Sequence, residues 1–188
     1  DRFDAYFEKS TATLIEQIEN LSRIAGTFSN FARLPETKLT EVDVAKKLKS
    51  VVELFAENHE NVKIRYEGQD SGVIVMADRE QIIQVFNNLL KNAIQSIPSE
   101  RQGIVNVKLR VVDNQVHIYF EDNGKGAPEA IRDKLFTPNF TTKSTGMGLG
   151  LAICENIIHL LDGEITFETE LNKGTVFHIV LQAAAESV

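Results

Sequence analysis

The sequence has one cysteine, no tryptophan and only four prolines in 188 residues. A single cysteine excludes an intrachain disulfide and a metal site built from cysteines. Cys154 stands in the apolar segment LAICENII, which predicts a small core residue and not a nucleophile. The chemistry of this chain therefore has to come from other residue types.

The sequence also lacks a long apolar run. None approaches the roughly 18 residues that a membrane-spanning helix needs, and no signal peptide is recognisable. The net charge of −7 argues against a general nucleic-acid-binding protein, although a local basic site for a triphosphate stays compatible with it. We therefore expect a cytoplasmic chain that binds no nucleic acid.

Two glycine-bearing clusters stand out, DNGKG over 122–126 and GMGLG over 146–150. The second runs directly into a helical apolar pattern. Glycine lets the backbone turn sharply and approach a ligand, and a helix start offers free N–H groups and the positive end of the dipole to a phosphate. The second cluster thus predicts a phosphate-binding helix start, although a plain glycine turn explains it equally well on its own.

The first glycine cluster follows a predicted strand. Residues 116–121 alternate apolar and polar side chains, as a half-buried strand does, and Asp122 comes directly after them. A carboxylate at such a strand end can accept a hydrogen bond from an exocyclic amine such as that of adenine. The alternative is a turn in which Asp122 satisfies its own loop.

A pair of asparagines lies upstream, in the segment NLLKNA. Asn88 and Asn92 are four residues apart, so on a helix their side chains share one face. Their amide oxygens are hard ligands that suit Mg²⁺, which keeps several waters and binds substrate phosphates. A solvated helix face is the alternative, but such faces more often carry Lys and Glu.

Periodicity and turn signals predict a strand entry and helix over 42–58, strands over 62–66 and 73–76 with a turn between them, a helix over 79–97 capped by Asp78, a hairpin over 104–120, a helix over 149–161, and closing strands over 165–168 and 175–181. This order predicts an α+β sandwich with helices on one sheet face. His117 and His178 are expected on the other face, exposed and not catalytic.

Five segments together resemble the ATP-binding catalytic domain of bacterial sensor histidine kinases, within the GHKL superfamily. In chain order they are the N box (88–93), the first glycine box (122–126), the F box (136–140), the second glycine box (146–150) and a final Gly174-Thr175. The resemblance covers about 40–182 and implies a two-layer α/β sandwich, with a mixed sheet and helices on one face.

The resemblance also implies the bound groups, ATP and Mg²⁺, and the residues that hold them. It assigns the adenine contact to Asp122, the metal to Asn92 and Asn88, and catalytic roles to Asn88 and Lys143. Lys143 is preferred because Gln95 stands where some relatives place a phosphate-contacting lysine. The other expected ATP-binding residues are Gly124, Gly126, Phe136, Phe140, Thr142, Gly146, Gly148, Leu149, Gly150 and Thr175. Residues 127–147 would form a mobile lid.

The implied reaction is transfer of the γ-phosphoryl group of ATP to a histidine, mostly by positioning and charge neutralisation. Superfamily members that hydrolyse ATP carry Glu where Asn88 stands, as a base for water, and an amide cannot take that proton near neutral pH. Asn88 therefore favours a kinase. The alternatives are a conformational ATPase or an anti-sigma serine kinase on the same fold, or a scaffold or phosphatase module that binds nucleotide without net transfer.

Residues 4–33 show a heptad-like apolar seam that ends before Pro35. This long helix resembles the second helix of the kinase dimerisation domain; a helix packed on the catalytic domain is the alternative. We expect a dimerisation segment over 1–36, a catalytic domain over 40–182 and a tail over 183–188. The implied partners are a second copy of the chain in the full-length protein and a response regulator receiver domain.

The phosphoacceptor is expected to lie on another helix. Of the four histidines, only His59 precedes a glutamate, and it stands in a loop-like segment. The chain is therefore predicted to be a kinase fragment that does not phosphorylate itself. By resemblance it is the cytoplasmic portion of a membrane-anchored sensor of a two-component system, with membrane contact only through segments absent here.

Overall fold

The computed structural model describes residues 7, 8, 10, 11, 13–15, 17, 18, 37–59, 61–138, 140 and 148–184. The chain divides into two units, 1–36 and 37–188. The described residues of the first unit are helical. Leu14, Ile15 and Ile18 are exposed there, and the rest of the predicted seam, from Leu21 to Ala32, lies outside the described residues.

The second unit contains three α-helices among its described residues. The elements in chain order are β1 (Thr40–Asp43), α1 (Val44–Asn58), β2 (Val62–Glu67), β3 (Ile74–Ala77), α2 (Arg79–Ser96), β4 (Gly103–Val112), β5 (Gln115–Asp122), a 3₁₀ helix (Glu129–Lys134), α3 (Gly150–Leu160), β6 (Glu164–Glu170) and β7 (Gly174–Gln182). In the described part of the chain, every helix is too short or too polar to cross a membrane.

The main sheet is mixed and has the strand order β2-β4-β5-β7-β6. β2 runs parallel to β4, whereas the other neighbouring pairs are antiparallel. The two strands predicted over 62–66 and 73–76 do not pair with each other, because β3 joins β1 in a separate two-stranded sheet. A parallel β2–β4 pair needs a long crossover, and β3 with α2 provides it.

The core lies between the helices and one face of this sheet. The inward side chains of β5 and β7 are buried as predicted: Val116, Ile118, Phe120, Phe177, Ile179 and Leu181. Phe86 of α2 packs on Phe120, with 6.1 Å between ring centroids. The predicted α+β sandwich with helices on one face is confirmed.

The outer face of the sheet is less exposed than predicted at its two histidines. His117 Nδ1 and His178 Nε2 are hydrogen-bonded at 3.0 Å, and His178 stacks on Tyr119 with 4.3 Å between centroids. Burial, together with the neighbouring His117, lowers the pKa of His178. The alternation of the strands was read correctly, but side chains on adjacent strands cover one another.

The tail begins inside the fold. The amide of Ala183 donates to the carbonyl of Asn114 at 2.9 Å, and that of Ala184 donates to Ile74 at 2.7 Å. Asn114 itself forms the β4–β5 turn with Asp113, and both have positive φ, at 63° and 48°. The first two residues of the predicted tail are thus attached to the domain, and 185–188 lie outside the described residues.

Asp43 joins the start of α1 to the chain before β3. Its Oδ1 accepts from the amide of Lys46 at 3.0 Å and its Oδ2 from Gly72 at 2.8 Å. Burial alone would raise the pKa of Asp43, but hydrogen bonds from the amides of Gly72, Lys46 and Val73 outweigh it and hold the pKa below its ordinary value. The carboxylate therefore stabilises the fold in its charged form.

We expect Asp43→Ala to lower the free energy of unfolding by about 1 kcal/mol at pH 7, as for other helix caps. Because the pKa of Asp43 is lower in the folded chain than in the unfolded one, the charged carboxylate contributes its full stabilisation above the unfolded pKa of about 3.9. This stabilisation is lost as the pH falls through the folded pKa. Urea denaturation at a series of pH values measures it. Glu57→Ala, at an exposed position of α1, is the control, and a loss independent of pH would contradict the expectation.

Candidate functional site

The asparagine face of α2 meets the start of α3. Asn88 Nδ2 donates to the carbonyl of Gly150 at 3.4 Å, and Gly150 is the first residue of α3. Asn92 lies one turn further along α2, and both asparagines are partly exposed. Two predicted site segments that are distant in sequence, the N box and the second glycine box, are therefore neighbours in the structure.

Asp122 ends β5 with its side chain almost fully buried, at 9% exposure. Its Oδ1 accepts a hydrogen bond from the hydroxyl of Ser96 at 2.8 Å and one from the amide of Gly124 at 2.8 Å. One donor belongs to the turn and the other to the last residue of α2. The carboxylate is thus more than a loop-satisfying turn residue, because a second element also fixes it.

The glycines around Asp122 allow close packing of protein against protein. A Cβ at Gly124 would overlap the Ser96 hydroxyl, and one at Gly174 would overlap the carbonyl of Asp122. Gly174 also has a φ of +130°, where other residues are strained. The family resemblance places Gly124 among the expected ATP-binding residues. In the structure, the nearest neighbours of Gly124 are Ser96 and Asp122.

The first glycine turn is held by Arg101, which the sequence analysis missed, and by the side chain of Asn123 within the first glycine box. Arg101 Nη1 donates to the carbonyls of Asn123 at 2.6 Å, Gly124 at 3.2 Å and Asn172 at 3.1 Å. The Asn123 side chain accepts from the amide of Ile104 at 2.8 Å. Nothing in the sequence pattern marks Arg101, because its partners are backbone carbonyls from two separate turns.

Thr175 faces Asp122 across the β5–β7 pair. The Thr175 hydroxyl lies 3.0 Å from the Thr169 hydroxyl. The Thr169 hydroxyl accepts from the amide of Ala127 at 2.9 Å and donates to the carbonyl of Gly174 at 3.1 Å. Because Thr169 has one hydroxyl proton and gives it to Gly174, Thr175 is the donor in their pair. Thr169 is a second residue that sequence reasoning missed, and it links the first glycine box to Thr175.

The start of α3 offers backbone amides without a side-chain cap. Leu149, the N-cap residue, is buried and makes no side-chain cap hydrogen bond, and Gly148 before it has a φ of +67°. An uncapped helix start with a glycine approach is the geometry that suits an anion. The predicted residues Thr142, Lys143 and Gly146 lie outside the described residues.

The first part of the predicted lid is folded against the sheet. Phe136 packs on Phe167 and Phe177, with 5.6 and 6.4 Å between ring centroids, and Arg132 Nη2 donates to the carbonyl of Thr169 at 2.9 Å. The amide of Phe140 donates to Thr137 at 3.2 Å. The predicted anchor at Phe136 therefore has aromatic partners, and residues 127–138 form part of the domain.

The geometry agrees with the sequence comparisons. The family described as histidine kinase-, DNA gyrase B- and HSP90-like ATPase matches residues 77–185. The chain belongs to this family. Its members include the sensor kinases that the five boxes resemble, so the predicted family membership and ATP binding are confirmed.

Individual relatives of this ATPase domain are sensor kinases. A putative NtrY-like sensor histidine kinase of Rickettsia conorii is 32% identical over 173 residues, which is 92% of this chain and 29% of that protein. The nucleotide-free catalytic domain of histidine kinase ThkA is 32% identical, with a TM-score of 0.69 over 78% of this chain and 96% of that one. The chain thus contains a sensor histidine kinase catalytic domain and spans about 29% of such curated relatives.

A structure that contains a partner is also similar to the kinase domain. The crystal structure of ThkA in complex with the response regulator TrrA gives a TM-score of 0.73 with 27% identity, over 92% of this chain and 50% of that one. The comparison with the ThkA catalytic domain alone covers 78% of this chain.

Cys154 of the kinase domain is fully buried, as the sequence predicted. Burial raises the pKa of its thiol to about 12, against a smaller opposite effect of a hydrogen bond with Asn88. The thiol therefore stays neutral at physiological pH and is no nucleophile. Its packing next to Asn88 helps to join α3 to α2.

We expect Arg101→Ala to weaken binding of an ATP analogue and to speed hydrogen exchange of the amides over 123–125, because three carbonyls lose their shared donor. The loss in unfolding free energy should be only about 1–2 kcal/mol, since water can replace the guanidinium.

Arg110→Ala is the matched control for this substitution. Arg110 is an exposed arginine of β4 that pairs with Glu67 at 3.5 Å, and its removal should leave nucleotide affinity unchanged. Unaltered exchange over 123–125 in Arg101→Ala would show that Arg101 does not hold the turn.

Proposed function

We propose that this domain binds Mg·ATP and transfers the γ-phosphoryl group to a histidine of a dimerisation helix outside this chain. In this proposal Asp122 accepts from the adenine amine, the Asn88–Asn92 face of α2 serves the metal, and the start of α3 binds phosphates. The contact of Asn88 with Gly150, at 3.4 Å, carries the proposal. It joins the amide face of α2 to the phosphate-binding helix start.

The residue type at position 88 favours transfer over hydrolysis. Asn88 lies beside the start of α3, where the phosphates would lie. An amide can orient a ligand but cannot accept a proton from an attacking water near neutral pH. A superfamily ATPase would carry a glutamate here, so a conformational ATPase is the weaker proposal.

The two asparagines of α2 offer Mg²⁺ a site with few protein ligands. Asn88 and Asn92 offer amide oxygens from one helix face, and within the described ranges no three His, Cys, Asp or Glu side chains are grouped to hold a metal. A site with few protein ligands suits an ion that keeps waters and binds through substrate phosphates. The bound ion would neutralise phosphate charge during transfer.

We expect Asn92→Ala to weaken binding of Mg·ADP much more than that of metal-free ADP, because only the former uses the amide as a ligand. Calorimetric titrations with Mg²⁺ and with EDTA measure the two affinities. Gln84→Ala removes an exposed neutral amide from the same helix and should change neither affinity. Equal losses with and without metal in Asn92→Ala would exclude Asn92 as a ligand.

Three of the four histidines have contacts within the fold, which supports an acceptor on another segment. His59 follows α1 and stacks on Phe55 with 5.6 Å between centroids. His117 and His178 are hydrogen-bonded to each other. His159 is in the last turn of α3. We therefore propose that the phosphoacceptor belongs to another segment.

We expect the chain to leave itself unlabelled with γ-labelled Mg·ATP, and to label a supplied dimerisation fragment that carries a His-Glu motif. The label should be acid-labile, as expected for phosphohistidine, and absent when that histidine is replaced by Gln. Asn88→Ala should lower the rate of labelling. Acid-labile label on His59 would contradict the assignment of the acceptor, and release of free phosphate without labelling would favour an ATPase.

We also propose the partners of the whole protein. The ThkA–TrrA complex supports a response regulator receiver domain as the final acceptor of the phosphoryl group. The described residues of the first unit are helical, and Leu14, Ile15 and Ile18 among them are exposed. This supports a dimerisation role for 1–36, because an exposed apolar helix face needs a partner. We propose, finally, that the domain lies on the cytoplasmic side of a membrane-anchored protein.

A further inference from the structure

The hydroxyl of Ser96 lies between two acceptors. Its Oγ is 2.8 Å from Asp122 Oδ1 and 2.7 Å from the carbonyl of Ala93. A serine hydroxyl carries one proton and neither acceptor has a proton to donate, so the two oxygens compete for the same proton. A carboxylate oxygen is a stronger acceptor than a backbone carbonyl, which favours the hydrogen bond from Ser96 to Asp122.

This hydrogen bond controls how the Asp122 carboxylate is rotated. The last side-chain torsion of an aspartate is soft and broadly distributed. Here Oδ1 is held by the Ser96 hydroxyl from α2 and by the Gly124 amide from the turn, each at 2.8 Å. Two donors from separate elements leave little rotational freedom, and they also fix the direction in which Oδ2 points.

The surroundings of Ser96 are built to keep the hydroxyl in place. A side chain at Gly124 would overlap the hydroxyl, and the amide of Lys125 donates to the Ser96 carbonyl at 2.9 Å. The end of α2 and the first glycine turn are therefore joined by both the backbone and the side chain of one residue.

We propose that Ser96 is a positioning residue that makes the site selective for purines with an amine at C6. It acts through Asp122: the Ser96 hydroxyl fixes the carboxylate in the rotation that accepts the amine. This rests on the proposed role of Asp122 toward adenine. It follows that the contribution of Ser96 to affinity is present only when the ligand carries that amine.

The test measures the affinity of ADP and of purine riboside 5′-diphosphate, which lacks only the amine, for the chain and for Ser96→Ala. Calorimetry with Mg²⁺ gives the four constants. We expect Ser96→Ala to bind ADP about 3- to 10-fold more weakly, the usual range for one hydrogen bond, and to bind the amine-free ligand within about twofold of the unchanged chain.

Ser99→Ala is the matched control, because Ser99 is an exposed serine nearby whose hydroxyl bonds to Glu100 at 2.9 Å. It should leave all affinities unchanged. Thermal unfolding of each variant separates a local effect from loss of the fold. If Ser96→Ala loses equal affinity for both ligands, Ser96 supports the site without selecting the amine, and the proposal is overturned. No loss for ADP would overturn it as well.

The same data distinguish a failure of the proposed function. If the unchanged chain binds ADP but does not prefer it to the amine-free ligand, then Asp122 does not accept from the amine, and both proposals fall. If the unchanged chain prefers ADP and Ser96→Ala keeps the full preference, only the role of Ser96 is wrong.

Discussion

Close packing of backbone around Asp122 is the constraint on which the site depends. Side chains at Gly124, Gly126 and Gly174 would overlap Ser96, the carbonyl of Glu170 and the carbonyl of Asp122, respectively. These overlaps involve residues of α2, β6 and β5. The glycines therefore let a helix end and two strands of the sheet converge on a single carboxylate. Without that convergence, Asp122 would end an ordinary strand.

Hydrogen bonds satisfy the backbone groups that such packing exposes. Arg101 donates to three carbonyls, Thr169 joins the amide of Ala127 to the carbonyl of Gly174, and the Asn123 side chain accepts from the amide of Ile104. Each buried polar group left unpaired would cost about 1–3 kcal/mol. The surroundings of Asp122 are thus held by the protein itself, whereas the uncapped start of α3 is suited to an anionic ligand.

Local patterns predicted most of the secondary structure and identified the segments of the candidate site. Amphipathic periodicity located α1, α2 and α3, and strand alternation identified the inward side of β5 and β7, because burial follows these periods directly. The parallel pairing of β2 with β4 was not predicted, since no local signal records which distant strand becomes a neighbour. Ser96, Arg101 and Thr169 were missed for a similar reason: their partners are set by tertiary contacts.

The side-chain amide of Asn88 is suited to its contact within the fold as well as to its proposed chemical role. The Asn88 side chain donates to the carbonyl of Gly150 at 3.4 Å, and only an N–H donor can do so. A glutamate there would place an anionic oxygen against that carbonyl, so this contact between α2 and α3 could not form unchanged. The amide of Asn88 therefore has a packing role between the two helices in addition to its proposed chemical role.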